Sequence, residues 1–211
     1  MKTPIGSLLT RALAQHTSAD PDGVYDETLR VVTTRAAAAQ SLCKADIGSL
    51  VMWKRITASA RWAGALGMTP DTEVRAITGK AWRLVHDDQL PTPEAGLAAF
   101  RELRRLPGLG GTGALASAVL VACAPDRMAV WDRRVSSALA AMGRRPVFGS
   151  GFYGRYLEEL NRLIEEDLGG ADPQIDNNQT LWRPRDVDLA LYALGGDRSL
   201  LNQVDRLSKN A

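Results

Sequence analysis

Apolar residues recur at helical spacing along almost the whole chain, and this pattern constrains the fold more than any other feature. One example is the run Ile5, Leu8, Leu9, Ala12 and Leu13, whose side chains share one face of a helix. No segment of four to eight residues alternates apolar and polar residues as a half-buried strand would. The sequence therefore predicts an all-α fold with little or no sheet.

The predicted helices share this periodicity. They cover residues 5–13, 29–42, 49–66, 74–85, 93–105, 115–124, 133–142, 153–168, 185–194 and 199–207. Ser199 can cap the last helix, Pro184 suits the first turn of the helix before it, and Gly195 with Gly196 predicts where that helix stops. The polar stretch 169–180 predicts a surface loop before a C-terminal helical pair at 181–211.

The composition is that of an ordinary globular protein, and we expect one domain over residues 1–211. The chain is 45% hydrophobic, which predicts an ordered fold by default. Its net charge is only +2, so a polyanionic partner must be argued from where the charges lie. The apolar run 114–124 predicts a buried helix, because a membrane span needs about 20 residues. Without a signal-like apolar segment at the N-terminus, we expect a cytoplasmic protein, associated with the nucleoid in a bacterium.

The most informative segment is 100–114, in which an amphipathic helix runs into a Pro107-Gly108 turn and an apolar helix follows within a few residues. Gly108, Gly110 and Gly111 lack the Cβ atoms that would keep another backbone at a distance. Amides at the start of the second helix can therefore approach an anion such as phosphate. The alternative is a plain turn between two helices, since Pro-Gly turns are common.

Two short motifs carry a resemblance to a known family. Leu-Pro-Gly-Leu-Gly at 106–110 and Ala-Val-Trp-Asp at 129–132 resemble the core of the helix-hairpin-helix DNA glycosylases, which include endonuclease III, the adenine glycosylase and 8-oxoguanine DNA glycosylases. About forty residues carry the match. The resemblance implies a two-lobed helical glycosylase fold whose hairpin and catalytic core occupy residues 93–142.

The resemblance also implies how the hairpin would hold DNA. The residues it places at the phosphate are Arg104, Leu106, Gly108, Leu109, Gly110, Gly111 and Thr112. Main-chain carbonyls of Arg104, Leu106 and Leu109 would hold a monovalent cation, K⁺ or Na⁺. No other cofactor is expected, because two cysteines are too few for a four-cysteine zinc site or an iron-sulfur cluster.

Asp132 occupies the position of the family's essential aspartate, about twenty residues after the hairpin. Breaking an N-glycosidic bond builds positive charge on the deoxyribose, which a nearby carboxylate stabilises while it orients or deprotonates a nucleophile. Asp132 also stands where it would cap the helix predicted at 133–142. The two roles are compatible.

One departure from the family pattern affects the expected reaction. Members that also cleave the sugar-phosphate chain carry a lysine two residues after the second hairpin glycine, where this chain has Thr112. Without that amine no Schiff base forms, so the resemblance implies an enzyme that uses water. Lys54 or Lys80 would have to reach the site to change this.

We expect the partner to be double-stranded DNA with a damaged or modified base, bound by a monomer. Trp131 is the candidate for the base pocket, although core packing is the commoner role of a tryptophan. Basic pairs at 104–105, 133–134, 144–145 and 183/185 supply candidate phosphate contacts. The alternatives are a DNA-binding protein without catalysis and a helical protein-interaction domain.

Overall fold

The structure is a computed structural model that describes residues 3–58, 60–111, 113–169 and 182–209. In chain order, helices α1 to α11 are Pro4–Ala19, Glu27–Ala39, Lys44–Trp53, Ala60–Met68, Asp71–Val85, Thr92–Leu103, Ala114–Cys123, Arg133–Ala141, Phe152–Arg162, Pro184–Gly196 and Arg198–Lys209. A 3₁₀ turn at Val24–Asp26 precedes α2, and a π-helical turn at Leu163–Asp167 follows α9. No strand occurs in these ranges, which confirms the all-α prediction.

The chain divides into two compact units. The central unit, Asp22–Trp131, contains α2 to α7. The terminal unit combines the residues up to Pro21 with those from Asp132 onward, and contains α1 and α8 to α11. The hairpin therefore belongs to the central unit, and Asp132 is the first residue of the terminal unit after the central one.

The core of the central unit forms around α7. Every residue of this helix from Leu115 to Cys123 is buried, and α2, α3, α5 and α6 all pack against it. A helix that is apolar on all sides is stable in water only when other parts of the protein cover it. The prediction of a buried helix at 114–124 is confirmed. None of the described helices is both long and apolar enough to cross a bilayer.

The terminal unit is organised around α10, which packs on α1 and α8. A Cβ atom on Gly195 would lie 2.1 Å from the Arg134 carbonyl oxygen, so the glycine allows close approach of the α8 and α10 backbones. Gly195 and Gly196 are the last two residues of α10, so the prediction that the helix stops before them is wrong. Pro184 is at the first position of α10, as predicted.

The single helix predicted over 49–66 is wrong, because α3 ends and α4 begins within that range. Arg55 adopts a left-handed conformation with φ of 51°. Its amide donates to the Met52 carbonyl and the Ile56 amide to the Val51 carbonyl, both at 3.0 Å. This pair of hydrogen bonds is a common way to close the C-terminal end of a helix, although the residue with the left-handed conformation is usually glycine.

The last helix begins one residue earlier than predicted and is capped by a different residue. Asp197 Oδ1 accepts hydrogen bonds from the amides of Ser199 at 2.7 Å and Leu200 at 3.1 Å. Ser199 is thus inside α11, and its predicted role as the cap is wrong. Residues 170–180 of the predicted polar loop lie outside the described residues.

Candidate nucleic-acid interface

The predicted hairpin is the turn at 104–113 between α6 and α7, in which Thr112 lies outside the described residues. The Leu106 amide donates to the Leu103 carbonyl at 3.0 Å, and the Leu109 amide donates to the Leu106 carbonyl at 3.2 Å. Leu106 and Leu109 are 2% and 1% exposed. These two leucines anchor the turn in the core, which fixes the backbone of the glycines between and after them.

Trp62 packs directly on the turn, a contact that the sequence did not predict. Gly108 has φ of +84°, and a Cβ atom there would lie 2.3 Å from Cε3 of Trp62. Both the backbone conformation and the contact require glycine at 108. Trp62 comes from α4, far away in sequence, and no local pattern distinguishes it from the other tryptophans.

Gly110 and Gly111 differ from Gly108, because the fold itself does not need glycine at either position. Both are exposed, and neither has the left-handed φ that favours glycine. A Cβ atom on Gly111 would meet nothing within 4 Å, and one on Gly110 would meet only the Arg104 carbonyl oxygen, at 3.6 Å. The bare backbone at 110–111 is therefore open to a partner.

A cavity of about 480 Å³ borders this backbone. Residues that line it include Trp62, Arg104, Gly110, Gly111, Ala114 and Leu115. Gly113 occupies the cap position of α7 and offers no side chain to the first amides of that helix. Uncapped amides at a helix N-terminus carry partial positive charge, which suits an anion.

The basic residues near the hairpin have different partners. Glu102 accepts a hydrogen bond from Lys80 Nζ at 2.9 Å and another from Arg105. The bond from Lys80, opposed by burial and helped by Arg105, holds the pKa of Glu102 below its usual 4.5. Arg104 is exposed and lines the cavity, so within the predicted pair 104–105 it is the residue whose side chain is accessible there.

The main-chain carbonyls of Arg104 and Leu106, two of the three predicted ligands of a monovalent cation, have describable surroundings in the turn. The Arg104 carbonyl oxygen faces the open side of Gly110, where a Cβ atom would lie 3.6 Å away. The Leu106 carbonyl accepts the Leu109 amide and keeps a second lone pair. Within the described ranges no cluster of three or more histidine, cysteine or acidic side chains could hold a metal. Coordination of a monovalent cation by the carbonyls of the turn stays a prediction.

The lysines considered for Schiff-base chemistry each lie close to another side chain, and the buried cysteine of the central unit is unreactive. Lys80 binds Glu102, and Lys54 Nζ lies 5.6 Å from the centroid of the Trp53 ring. Burial raises the pKa of the Cys123 thiol to about 12, which disfavours a thiolate at neutral pH. Neither lysine is among the described residues that line the hairpin cavity.

Asp132 caps α8, as predicted. Its Oδ1 accepts a hydrogen bond from the Val135 amide at 3.0 Å, and the residue is partly exposed. This bond satisfies one of the free amides at the start of the helix and fixes the direction of the carboxylate. Asp132 is thus a partly accessible carboxyl group that the start of α8 holds in position.

The terminal unit buries several polar groups, and one of them, Tyr156, interacts electrostatically with Asp132. Arg185 Nη1 donates to Asp188 Oδ1 at 2.7 Å, and both side chains are almost fully buried. Tyr153 and Tyr156 are fully buried, with ring centroids 6.0 Å apart. Burial first, and then the charges of Asp188 and more weakly Asp132, raise the pKa of Tyr156 well above its usual range. Tyr156 therefore stays protonated at neutral pH.

Trp131, the predicted base-pocket residue, belongs to the core of the central unit. It is 3% exposed, and its amide donates to Ser117 Oγ at 2.9 Å. This burial favours the packing role that the sequence left open. A role in the base pocket stays a prediction.

The other basic pairs divide into engaged and exposed members. The Arg134 guanidinium lies 4.6 Å from the centroid of a tyrosine ring, Arg144 binds three carboxylates, and Arg185 binds one. Arg133 and Arg145 are exposed. Clusters of basic residues in the sequence thus overstate the number of cations available for phosphate.

Comparison with known proteins provides no further assignment. No protein family, curated protein or solved structure matches the chain.

Proposed function

We propose that this chain is a monofunctional DNA N-glycosylase that removes a damaged or modified base from double-stranded DNA. The hairpin would hold a backbone phosphate, and Asp132 would act at the sugar of the target nucleotide. This assignment begins from the resemblance at 106–110 and 129–132 and is supported by the local geometry of the two regions.

The observation that carries the DNA contact is the open glycine backbone at 110–111. Neither the backbone conformation nor packing calls for glycine there, so the missing Cβ atoms are explained by close approach of a ligand. Arg104 and the N-terminus of α7, whose cap residue Gly113 has no side chain, line the same cavity, and both favour an anion. A phosphate of the DNA backbone has this charge and can enter from the exposed side.

Asp132 has the properties needed for the chemical step. As the glycosidic bond breaks, its electron pair leaves with the base and positive charge develops at C1′ of the deoxyribose. A fixed carboxylate stabilises this charge and accepts a proton from the attacking water. The water oxygen then bonds to C1′, the proton passes to the departing base, and an abasic site remains.

The reaction is proposed to stop at the abasic site. Thr112 stands where a Schiff-base enzyme has lysine, Lys80 is bound to Glu102, and Lys54 lies against Trp53. An amine held by a carboxylate or by an aromatic ring is poorly placed to attack a sugar aldehyde. Borohydride should therefore trap no covalent protein-DNA complex.

The test uses duplexes that each carry one modified base, including 8-oxoguanine, alkylated bases and modified bases of foreign DNA. We expect breaks on at least one substrate only after alkali, which cleaves abasic sites. Asp132→Asn should lower the rate of base release by about 10²- to 10³-fold, because it removes the charge. Asparagine still caps a helix, so the variant should fold.

Asp197→Asn is the matched control, since Asp197 caps α11 in the same way and has no proposed role in DNA. Equal base release by the wild type and Asp132→Asn would disprove the proposed role of Asp132. Duplex binding without base release on any substrate would favour the non-catalytic DNA-binding protein. The capping bond of Asp132 to Val135 gives that alternative a structural reason for the aspartate.

A further inference from the structure

The segment that follows Asp132 is the most one-sidedly basic part of the chain. Residues 133–157 contain five arginines and no aspartate or glutamate. In the middle lies the loop 143–151, which joins α8 to α9. Three of these arginines bind groups of the protein itself, and Arg133 and Arg145 are the exposed cations that can contact a polyanion.

The tip of this loop is apolar and exposed. Val147 is 73% exposed and Phe148 is 50% exposed, so two large hydrophobic side chains lie at the surface here. The Phe148 ring stacks on Phe152 with centroids 4.5 Å apart, and the Arg145 guanidinium lies 5.3 Å from the Phe148 centroid. An aromatic side chain beside a cation is thus held at the surface.

Arg155 holds the loop in this conformation. Its Nη2 donates to the Val147 carbonyl at 2.7 Å, and its Nη1 donates to the Ser150 carbonyl at 2.8 Å. A Cβ atom on Gly151, which has φ of +81°, would lie 2.7 Å from that Nη1. The loop is therefore shaped around the guanidinium, and its apolar tip is ordered before any partner binds.

We propose that the loop 143–151 is a second DNA-binding element, in which Phe148 inserts between bases from the minor groove and Arg145 contacts a phosphate. This inference rests on the proposed DNA-binding function. Apolar side chains inserted into the base stack next to arginines are a general way of binding the minor groove. The order imposed by Arg155 lowers the entropic cost of insertion.

The two residues should have different effects on duplex binding, measured by fluorescence anisotropy over a range of salt concentrations. Phe148→Ala should raise Kd by about 5- to 100-fold without changing the salt slope, because stacking is uncharged. Arg145→Gln should reduce the slope of log K against log salt by about 0.9, the value for one phosphate. Phe148→Trp keeps an aromatic ring and should retain affinity.

Matched controls come from exposed residues outside the loop. Val31→Ala removes a comparably exposed apolar side chain of the central unit, and Arg198→Gln removes an exposed arginine of the terminal unit. Both should bind DNA like the wild type. Thermal unfolding of every variant checks that the fold is retained.

Unstacking gives a direct readout of insertion. A duplex with 2-aminopurine should brighten when the wild type binds, and this increase should be lost with Phe148→Ala. This inference alone would be overturned if the wild type binds duplex DNA and releases a base, while the variants show the same affinity, salt slope and fluorescence increase as the wild type. Absence of wild-type duplex binding would overturn the proposed function as well. Loss of binding by Phe148→Ala to anionic lipid vesicles, but not to DNA, would identify a membrane contact instead.

Discussion

Substitution of Gly111 by alanine separates a ligand-binding role of the hairpin from a structural one. In the protein without DNA, the new Cβ atom meets nothing within 4 Å and the backbone is not left-handed. Alanine at such a position restricts the unfolded chain, so the free energy of unfolding should rise by about 0.4–1 kcal/mol. A phosphate bound at the neighbouring amides would meet this methyl group.

The expected loss of affinity follows from the bond at risk. A hydrogen bond from an amide to a charged phosphate contributes about 1.5–3 kcal/mol. Because each 1.4 kcal/mol is tenfold in affinity, Gly111→Ala should raise the Kd for duplex DNA roughly 10- to 150-fold. The same variant should be at least as stable as the wild type.

Gly108→Ala should behave in the opposite way. Its left-handed φ costs about 1–2 kcal/mol for alanine, and the clash with Trp62 adds about 1–3 kcal/mol. The free energy of unfolding should therefore fall by about 2–5 kcal/mol. In a protein that already carries Trp62→Ala, the Gly108→Ala substitution should lower the free energy of unfolding by less, because the clash with the tryptophan is absent.

Urea unfolding and duplex-binding anisotropy measure the two quantities on the same variants. Gly48→Ala is the matched control, because Gly48 is also exposed in the central unit and its Cβ atom would also meet nothing within 4 Å. It should gain stability and leave DNA affinity unchanged. If Gly111→Ala binds duplex DNA as tightly as Gly48→Ala, the backbone at 111 does not approach a phosphate and the argument from the open glycines fails.

Two further predictions concern stability. The pKa of Glu102 is held below 4.5 chiefly by Lys80, so its contribution is present above pH 4.5 and is lost as the pH falls through the lowered value. In urea unfolding, Glu102→Gln should have a lower free energy of unfolding than the wild type at pH 7, and this difference should be smaller at pH 3. A difference that stays the same at both pH values would contradict the stabilising role of the Glu102 charge. Gly195→Ala should lower the free energy of unfolding by about 1–3 kcal/mol or more, because its Cβ atom would overlap the Arg134 backbone. Gly196→Ala should cost less, because the nearest atoms to its Cβ atom belong to the flexible side chain of Arg134. Equal losses of stability in the two variants would refute the close approach of α8 and α10.

Local signals predicted the elements whose causes are local. The Pro107-Gly108 turn, the apolar helix after it and the capping bond of Asp132 depend on residues within a few positions of one another. Each was therefore visible in the sequence. The same is true of Pro184, which fits the first turn of its helix.

Features that depend on distant contacts were not predictable in this way. Arg55 ends α3 in a left-handed conformation without the glycine that would mark it. Position 195 requires glycine because the Arg134 backbone occupies the space of a Cβ atom, and position 108 requires it partly because Trp62 packs there from another helix. In each case the cause is tertiary, so periodicity and capping rules could not identify it.

The most direct test of the central claim is detection of the free base released from a modified duplex, by mass spectrometry, with Asp132→Asn compared with Asp197→Asn. We predict that the wild type and Asp197→Asn release the base and leave an intact strand with an abasic site. Asp132→Asn should bind the duplex with wild-type affinity and release about 10²- to 10³-fold less base per unit time. Release of the base at the wild-type rate by Asp132→Asn, or no release by the wild type from any modified duplex that it binds, would contradict the account.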